Sequence, residues 1–260
     1  MGPEFIDLIS ELHDCRSQGE AGRAGEERAI AAFYAYLHKR GVEHCNFGGF
    51  MLDEEGSGQA RAFSGSLLPD PFVEEFIEEL SEHDYILRRA ALLSPAQPVA
   101  NFEIGLPALD EIAEFNPSSV AVQRECARHG IVEGVALVGN TVPRATPASG
   151  RYFGFAFAGE RGSGRHIKGM LGELNVAAHA LLDRIAPRLH ADMDGFSGRL
   201  TRRERDVLAW LAEGAQRKQI AYRLGISLAT VDMHAGNLRR KLGATTLADA
   251  VARGLRYGLI

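Results

Sequence analysis

The fold of the last sixty residues is decided by four stretches of sequence: LTRRERDVLAWLAEG (200–214), IAYRLGIS (220–227), ATVDMHAGNLRRKLG (229–243) and GLI (258–260). The first begins with Thr201 and Glu204 in the spacing of a capping box, in which each side chain bonds the backbone N–H of the other residue at the start of a helix. The second predicts a short helix that a glycine ends, and Ser227 is placed to cap a third helix running to Leu242. A fourth helix is predicted over 247–257. A short helix, a glycine turn and a longer capped helix are the outline of a helix-turn-helix.

The third of these helices is predicted to have a packed face and an exposed face. At about 100° per residue, one side collects the residues that we expect to pack inward, namely Val231, His234, Ala235, Leu238 and Leu242. The other side is free to enter a DNA major groove and carries Asp232, Met233, Gly236, Arg239 and Arg240. Phosphate contacts are expected from Arg217, Lys218, Arg239, Arg240 and Lys241. The alternative is an ordinary basic helix exposed to solvent.

Charge is divided unevenly along the 260 residues, whose formal net charge is −5. Residues 198–260 contain twelve Lys or Arg residues and five acidic residues, which gives this part a net charge of +7. Residues 1–197 therefore carry a net charge of −12. A small basic module joined to a larger acidic part is typical of a nucleic-acid reader attached to another domain. The stretch DMDGFSGR (192–199) contains few apolar residues and is predicted to link a domain at 1–191 to one at 200–260.

The C-terminal module resembles the LuxR-type, or GerE-like, helix-turn-helix along nearly its whole length. The positions that match the family pattern are Leu200, Thr201, Glu204, Leu208, Gly214, Ile220, Ala221, Leu224, Ser227, Thr230, Val231, His234, Asn237, Lys241 and Leu242. The resemblance implies that the third helix reads the major groove and that the fourth makes dimer contacts. The DNA-binding residues predicted in this way are Arg217, Lys218, Thr230, Asp232, Met233, Gly236, Asn237, Arg239, Arg240 and Lys241.

Two positions depart from the family pattern, because Asp232 and Gly236 stand where the family often has Lys or Arg. An Asp can accept a hydrogen bond from the N4 amine of cytosine, but it repels phosphate. A glycine inside a helix costs about 1 kcal/mol, although it lets the backbone approach the DNA closely. We therefore expect either an unusual operator or weakened DNA binding.

The larger N-terminal part alternates between predicted helices and strands. The spacing of apolar residues predicts helices over 5–16, 26–41, 71–92, 118–129 and 167–190. Alternating runs bounded by turn residues predict strands over 44–52, 59–64, 100–104, 132–142 and 152–157. The fold class is therefore α+β, with helices packed on a short sheet.

The order of these segments resembles the autoinducer-binding domain of quorum-sensing LuxR proteins. The resemblance covers roughly residues 26–190 and rests on PFVEEFIEELSEHDYILRRA (71–90), CARHGIVEGVALVGN (126–140) and RYFGFAFAG (151–159). It implies an α-β-α sandwich with a central antiparallel sheet that holds an acyl-homoserine lactone, followed by an all-α four-helix domain at the C-terminus.

The resemblance also places apolar residues where the family binds its ligand through polar groups. Phe72 occupies the position at which the family has a Trp that donates to the lactone carbonyl. Phe76 occupies the position of a Tyr that donates to the acyl carbonyl, and Ala156 occupies the position of a frequent Ser or Thr. Asp84 matches, after a one-residue gap, the Asp that accepts from the ligand amide. Each lost hydrogen bond to a buried ligand oxygen costs roughly 1–3 kcal/mol, so three losses weaken lactone binding by orders of magnitude. We expect an apolar ligand with one donor rather than a standard lactone.

Further phenylalanines are available to line an apolar cavity. The predicted ligand-binding residues are Phe47, Phe50, Phe72, Phe76, Asp84, Phe102 and Ala156. For each phenylalanine the alternative is an ordinary place in the core. For Asp84 the alternatives are a buried acceptor for a ligand N–H or amine and an exposed salt bridge with Arg88 or Arg89, since a buried carboxylate needs a partner.

Several classes of protein are excluded by the sequence. No run of about 18 apolar residues predicts a membrane span, and the acidic N-terminus does not predict a secretory signal. Three distant cysteines, without a CxxC spacing, predict neither a zinc site nor a disulfide framework, so we expect a cytoplasmic protein. Motifs of the GxSxG, P-loop, HExxH and GxGxxG kinds are absent. We therefore expect no catalytic site, metal or cofactor.

These observations lead to one principal hypothesis and two alternatives. The principal one is a LuxR-type regulator, a homodimer that binds double-stranded DNA and senses a small apolar signal through residues 1–191. The first alternative is a ligand-free protein that forms heterodimers with other LuxR regulators and inhibits them. The second is an enzyme fused to a DNA reader, which lacks any catalytic constellation.

Overall fold

The computed structural model describes residues 2–17, 23–52, 58–65, 76, 80–93, 97–140, 150–195 and 200–260. The chain divides into two compact units, Met1–Ile185 and Ala186–Ile260. Among the residues described, no helix has the length and apolar content to cross a membrane.

The N-terminal unit combines helices with one antiparallel sheet. Its helices are α1 (Pro3–Ser17), α2 (Arg23–Lys39), α3 (Tyr85–Ala90), α4 (Leu109–Phe115), α5 (Ser119–Arg128), α6 (Gly164–Gly169) and the first part of α7 (Leu171–Met193). Its strands are β1 (His44–Leu52), β2 (Gly58–Gly65), β3 (Val99–Gly105), β4 (Glu133–Asn140) and β5 (Gly150–Gly159). Two 3₁₀ turns, Ser81–His83 and Leu106–Ala108, precede α3 and α4. The sheet order is β2-β1-β5-β4-β3, and every neighbouring pair is antiparallel.

Strand alternation gives this sheet two different faces. On the Phe155 face, the Phe155 ring lies 6.1 Å from Phe33 of α2, and Phe153 lies 5.5 Å from His179 of α7. On the opposite Tyr152 face, Phe50 and Ala156 join one buried cluster with residues of α3, α4 and α5. Helices therefore cover both faces, and the predicted α-β-α sandwich with a central antiparallel sheet is confirmed.

The N-terminal unit differs from the prediction in its shorter helices. The single helix predicted over 71–92 is wrong, because Asp84 adopts an extended backbone (φ −67°, ψ 135°) and begins α3 as its N-cap. The helix predicted over 167–190 is two helices, since α6 ends at Gly169 and α7 begins at Leu171. Helix α4 was missed because its seven residues are too few to establish a helical period.

The C-terminal unit contains four short helices after the end of α7. They are α8 (Arg202–Ala212), α9 (Arg217–Leu224), α10 (Leu228–Lys241) and α11 (Leu247–Arg256). Both halves of the capping box between Thr201 and Glu204 are present. Gly225, at φ +64°, makes the left-handed turn between α9 and α10 that a side chain would strain. The predicted four-helix helix-turn-helix fold is confirmed.

The division between the two compact units falls within α7, between Ile185 and Ala186, and the linker over 192–199 stays a prediction. Residues 186–193 continue this helix but belong to the C-terminal unit. Ala191 is buried in the same core as Val207 and Leu208. Of the linker predicted over 192–199, residues 196–199 lie outside the described residues.

Candidate functional site

The exposed face of α10 is the one that the sequence predicts. Val231 and Leu238 are fully buried, and Ala235 and Leu242 are nearly so, whereas His234 is half-buried. The residues exposed to solvent are Asp232, Met233, Gly236, Arg239 and Arg240. A Cβ at Gly236 would meet nothing within 4 Å, so the helix surface has an open notch there. The structure confirms the two faces, and contact with DNA remains a prediction.

The N-terminus of α10 is fixed by its cap. The Ser227 hydroxyl accepts a hydrogen bond from the Thr230 backbone N–H at 3.1 Å, and the two hydroxyl oxygens lie 2.8 Å apart. Thr230, a predicted DNA contact, therefore also holds the first turn in place. Asn237, another predicted contact, accepts from the Arg240 guanidinium at 2.8 Å. These local bonds orient polar side chains along the exposed face before any DNA is present.

An ion pair joins the two helices of the helix-turn-helix. The Arg217 Nη1 atom on α9 lies 2.7 Å from the Asp232 Oδ1 atom on α10, with both side chains about half exposed. An exposed pair of this kind contributes little stability, typically 0–1 kcal/mol. Its consequence is electrostatic, because the carboxylate that would repel phosphate has a cation beside it. Lys218, on the same helix as Arg217, is exposed.

We expect Asp232→Ala to raise affinity for non-specific duplex DNA several-fold at low salt. The change removes a charge that repels phosphate and releases Arg217 to bind one. Fluorescence anisotropy of the full chain with a labelled duplex of arbitrary sequence measures the effect at two salt concentrations. Asp206→Ala is the matched control, since Asp206 pairs with Arg203 on α8 at 3.5 Å. Equal affinities for the two variants would contradict the expectation.

Lys241 has a structural partner in addition to its predicted role with DNA. Its Nζ atom lies 2.7 Å from Glu204 Oε2, and the Glu204 side chain is 3% exposed. The same oxygen accepts from the Thr201 backbone N–H at 2.7 Å. Burial opposes ionisation of Glu204, but the bonds from Lys241 and Thr201 outweigh it and hold the pKa of this carboxyl below its usual range. Lys241 therefore ties the end of α10 to the start of α8.

The Tyr152 face brings together four of the predicted ligand-binding residues. The Phe50 ring stacks on Tyr152 with centroids 5.5 Å apart. Phe102 and Ala156 belong to the same buried cluster, and Phe76 packs against it. Phe72 lies outside the described residues. The structure thus groups Phe50, Phe76, Phe102 and Ala156 on one apolar surface.

Phe47 lies on the opposite side of the sheet from this group. It pairs with Phe155, and the two rings stack with centroids 5.1 Å apart. Its ring also meets Phe33 of α2 edge-on at 6.1 Å. Since Phe47 and Phe50 are three positions apart on one strand, alternation sends them to different faces. The structure therefore separates Phe47 from the other predicted ligand-binding residues and packs it in the core, and its role in ligand binding stays a prediction.

Asp84 is buried and is bound by backbone groups of its own chain. Its Oδ1 atom accepts from the backbone N–H groups of Ile86 at 2.8 Å and Leu87 at 3.2 Å, which caps α3. Only 2% of the residue is exposed, so it is not an exposed salt bridge. Burial raises the pKa of this carboxyl to about 6, although the backbone hydrogen bonds act in the opposite direction. The Oδ1 atom therefore has two hydrogen-bond partners within the chain, but burial still disfavours its charged form.

We expect Asp84→Asn to stabilise the N-terminal unit at pH 7 by about 2 kcal/mol. Asn caps a helix as well as Asp does, and it avoids burying a charge. The unfolded pKa is about 3.9 and the folded pKa about 6, so the wild type loses stability as the pH rises through this window. Below pH 4 the difference should vanish. Amide hydrogen exchange of β5 in the full chain, corrected for intrinsic rates, measures it between pH 4 and 7.

Asp84→Ala provides the control, since it removes both the charge and the cap. It should be less stable than Asp84→Asn by about 1 kcal/mol at every pH. A wild-type protein whose stability does not change between pH 4 and 6 would contradict the predicted titration.

Sequence reasoning missed three side chains of the Tyr152 face. Tyr85 is fully buried and its hydroxyl donates to Glu111 at 3.1 Å. The Arg89 guanidinium lies 5.0 Å from the centroid of the Phe102 ring and 5.7 Å from that of Tyr85. Tyr152 was detectable, because it lies four strand positions before Ala156 and must share its face. The position of Arg89 over the Phe102 ring could not be predicted from the sequence, because it depends on where α3 begins.

Comparison with known proteins agrees with the C-terminal geometry. Residues 198–253 match the model of bacterial regulatory proteins of the luxR family. The transcriptional regulatory protein MctR of Rhizobium johnstonii is 44% identical over 61 residues, which cover 24% of this chain and 28% of that protein. The transcriptional activator protein SolR of Ralstonia solanacearum is 36% identical over 98 residues, 35% of this chain and 40% of that protein. The matches thus span less than half of each relative.

Solved structures similar to this chain include SdiA and CepR2. SdiA of Escherichia coli gives a TM-score of 0.47 at 15% identity and covers 96% of this chain and 98% of its own. CepR2 of Burkholderia cenocepacia is described as an N-acylhomoserine lactone dependent LuxR family transcription factor. It gives a TM-score of 0.49 at 14% identity, and the match covers 71% of this chain and 99% of the CepR2 chain. With the family match confined to residues 198–253 and the capped helices found there, the C-terminal domain of this chain belongs to the luxR family of bacterial regulatory proteins.

Proposed function

We propose that this chain is a LuxR-type transcriptional regulator that binds double-stranded DNA as a homodimer and senses a small apolar molecule. The proposal is carried by the exposed face of α10, where Arg239 and Arg240 stand on a capped helix of a luxR-family domain. Their exposure leaves both guanidinium groups available to phosphates. The net charge of +7 after residue 198 supplies the attraction that makes such binding depend on salt.

Dimerisation would place two α10 helices on one operator. The resemblance to the family supports a dimer contact through α11, where Leu255 is 58% exposed. Two symmetric recognition helices fit half-sites about one DNA turn apart, so the operator is expected to be an inverted repeat.

Selection of bound sequences from a random duplex library tests this proposal with the full chain. The expected result is an enriched inverted repeat, bound by a dimer in native mass spectrometry, with affinity that falls steeply as salt rises. An enriched site without two-fold symmetry would remove the homodimer. Failure to enrich any sequence would remove the regulator.

The Tyr152 face supports the proposed sensing role. Small residues, Ala136 and Ala156, form the middle of this sheet face, and the rings of Phe50, Tyr85 and Phe102 lie around it. An apolar ligand buried there would stabilise the folded unit in proportion to the logarithm of its concentration over its Kd. Native mass spectrometry of protein purified from its own host tests this role, and a copurified small molecule is the expected result.

A second candidate is a ligand-free protein that heterodimerises with other LuxR regulators and inhibits them. Two observations favour it. Asp84 Oδ1 already accepts two hydrogen bonds from the α3 backbone, and a Cβ on Gly154 would lie 3.3 Å from both Ile86 and Phe50, so that part of the face is already filled. Tight, strongly salt-dependent operator binding by the pure protein would exclude this candidate. An empty, stable dimer that selects no DNA sequence would favour it.

A further inference from the structure

The last two turns of α7 pack in the core of the C-terminal unit. Ala191 is buried in one cluster with Leu200, which lies just before α8, and Tyr257, which lies just after α11. Gly258 lies directly against Pro187, since a Cβ added there would come within 3.0 Å of the proline Cβ. The matched family region begins only at residue 198, so these α7 residues lie outside it.

A buried carboxylate fastens this segment to the end of α11. Asp194 Oδ2 accepts from the Tyr257 hydroxyl at 2.5 Å and from Arg256 Nη1 at 3.1 Å. The Asp194 side chain is 6% exposed, and that of Arg256 22%. Hydrogen bonds to an ionised acceptor are about twice as strong as neutral ones. We call these three residues the Asp194 clasp.

The clasp lies just beyond the place where α7 passes from one unit to the other. The boundary is at Ile185 and Ala186, and Pro187 follows within the helix. Proline has no N–H to donate to the preceding turn, so the helix is weakest there. Up to Ile185 the helix belongs to the N-terminal unit, and from Ala186 onward it belongs to the unit in which Asp194 bonds to the end of α11. Helix α7 nevertheless runs without a break from Leu171 to Met193, directly before Asp194.

We propose that Asp194 is a positioning residue that transmits the state of the sensor unit to α11. The clasp bonds the end of α7 to Arg256 and Tyr257. Movement of α7 would therefore also displace α11. The proposal rests on the proposed function for its biological meaning. Its physical content is coupling between α7 and α11, which exists with or without DNA and ligand.

Amide hydrogen exchange of the full chain first tests whether the clasp couples the two helices. We expect Asp194→Ala to accelerate exchange about tenfold or more in both 187–195 and 247–257, because each bond to the buried carboxylate contributes to both segments. Asp192→Ala is the matched control, since Asp192 pairs with Arg188 on the exposed side of the same helix at 3.4 Å. Acceleration confined to 187–195, or equal acceleration by the control, would overturn the proposal.

Tyr257→Phe guards against a variant that simply fails to fold. It keeps the buried ring and removes only one donor. Exchange should rise in the same two segments by a smaller factor. No change in either segment would show that the Tyr257 bond does not couple the helices.

A double-mutant experiment then tests transmission itself. Leu181→Ala opens a cavity beneath α7 in the N-terminal unit, where Leu181 is fully buried. In the wild-type background it should accelerate exchange in 247–257, and in the Asp194→Ala background it should add nothing there. Equal increments in both backgrounds, or no increment in the wild type, would overturn the proposal. If Leu181→Ala does not fold, the milder Ile185→Val takes its place.

The outcome of these exchange measurements is independent of DNA binding. A protein that selects no DNA sequence but shows clasp-dependent exchange would refute the proposed function and leave the coupling intact. A protein that selects an operator but shows no coupling would do the reverse.

Discussion

Replacing Arg239 and Arg240 together with alanine is expected to lower the affinity of the full chain for duplex DNA by about 10- to 100-fold at moderate salt. Each guanidinium that neutralises a phosphate releases counterions, and losing two such contacts lowers the slope of log affinity against log salt by about 2. Both side chains are exposed, and Arg240 bonds only to Asn237 among the contacts described above. The fold should therefore be unaffected.

Anisotropy titrations at three salt concentrations, with the duplex selected by the wild-type protein, measure both the affinity and the slope. Arg202→Ala with Arg203→Ala on α8 is the matched control, because it removes the same charge from exposed positions outside the helix-turn-helix pair. The control should change affinity by less than about threefold, because salt largely screens charges that lie far from the bound DNA. A double variant of α10 that keeps wild-type affinity would refute the assignment of this face to DNA.

Lys241→Met is expected to lower the free energy of unfolding of the C-terminal unit by about 2–3 kcal/mol. The substitution leaves the buried Glu204 carboxylate without its cation. Removing one partner of a buried ion pair costs about 3–5 kcal/mol, and the effect is reduced here because Lys241 is 32% exposed. Since the folded pKa of Glu204 is lowered, the contribution is present above its unfolded pKa of about 4.3 and is lost as the pH falls through the folded value.

Urea titration followed by tryptophan fluorescence measures this change in the intact chain. Trp210 is the single tryptophan of the sequence and packs against the C-terminal core, so its emission reports on this unit. Lys218→Met, at an exposed position of α9, is the control and should change stability by less than about 0.5 kcal/mol. Adding Glu204→Gln to Lys241→Met should recover most of the loss, because Gln also completes a capping box. Failure of the second change to restore stability would argue against a stranded charge.

These two predictions separate neighbouring cations of α10 that look alike in sequence. Arg240 and Lys241 are adjacent, and both were predicted to bind phosphate. The structure directs Lys241 towards the capping box of α8 and leaves Arg240 exposed. A loss of DNA affinity after Lys241→Met therefore has to be corrected for unfolded protein before it is read as a lost contact.

The sequence by itself determined the features that depend on neighbours along the chain. The capping box at Thr201, the cap at Ser227 and the turn at Gly225 are set by backbone hydrogen bonds within a few residues. The inward and outward faces of α10 follow from helical periodicity alone. Strand β1 was predicted over His44–Leu52 from its alternating pattern and the turn residues that bound it, and the observed strand has the same bounds. The separate faces of Phe47 and Phe50 were also contained in the strand period, and were overlooked.

Only the tertiary structure decided which groups at distant positions share a charge or a hydrogen bond. The partners of Lys241, Asp232 and Asp194 come from other helices, 15 to 63 residues away. Polar side chains reach such partners in any direction, and no periodicity records the choice. Asp84 shows the same limit at short range, because it caps α3 inside a stretch whose apolar period by itself predicted one helix over 71–92. Local backbone geometry is written in the order of residues, whereas the pairing of buried charges depends on how the helices and sheet pack.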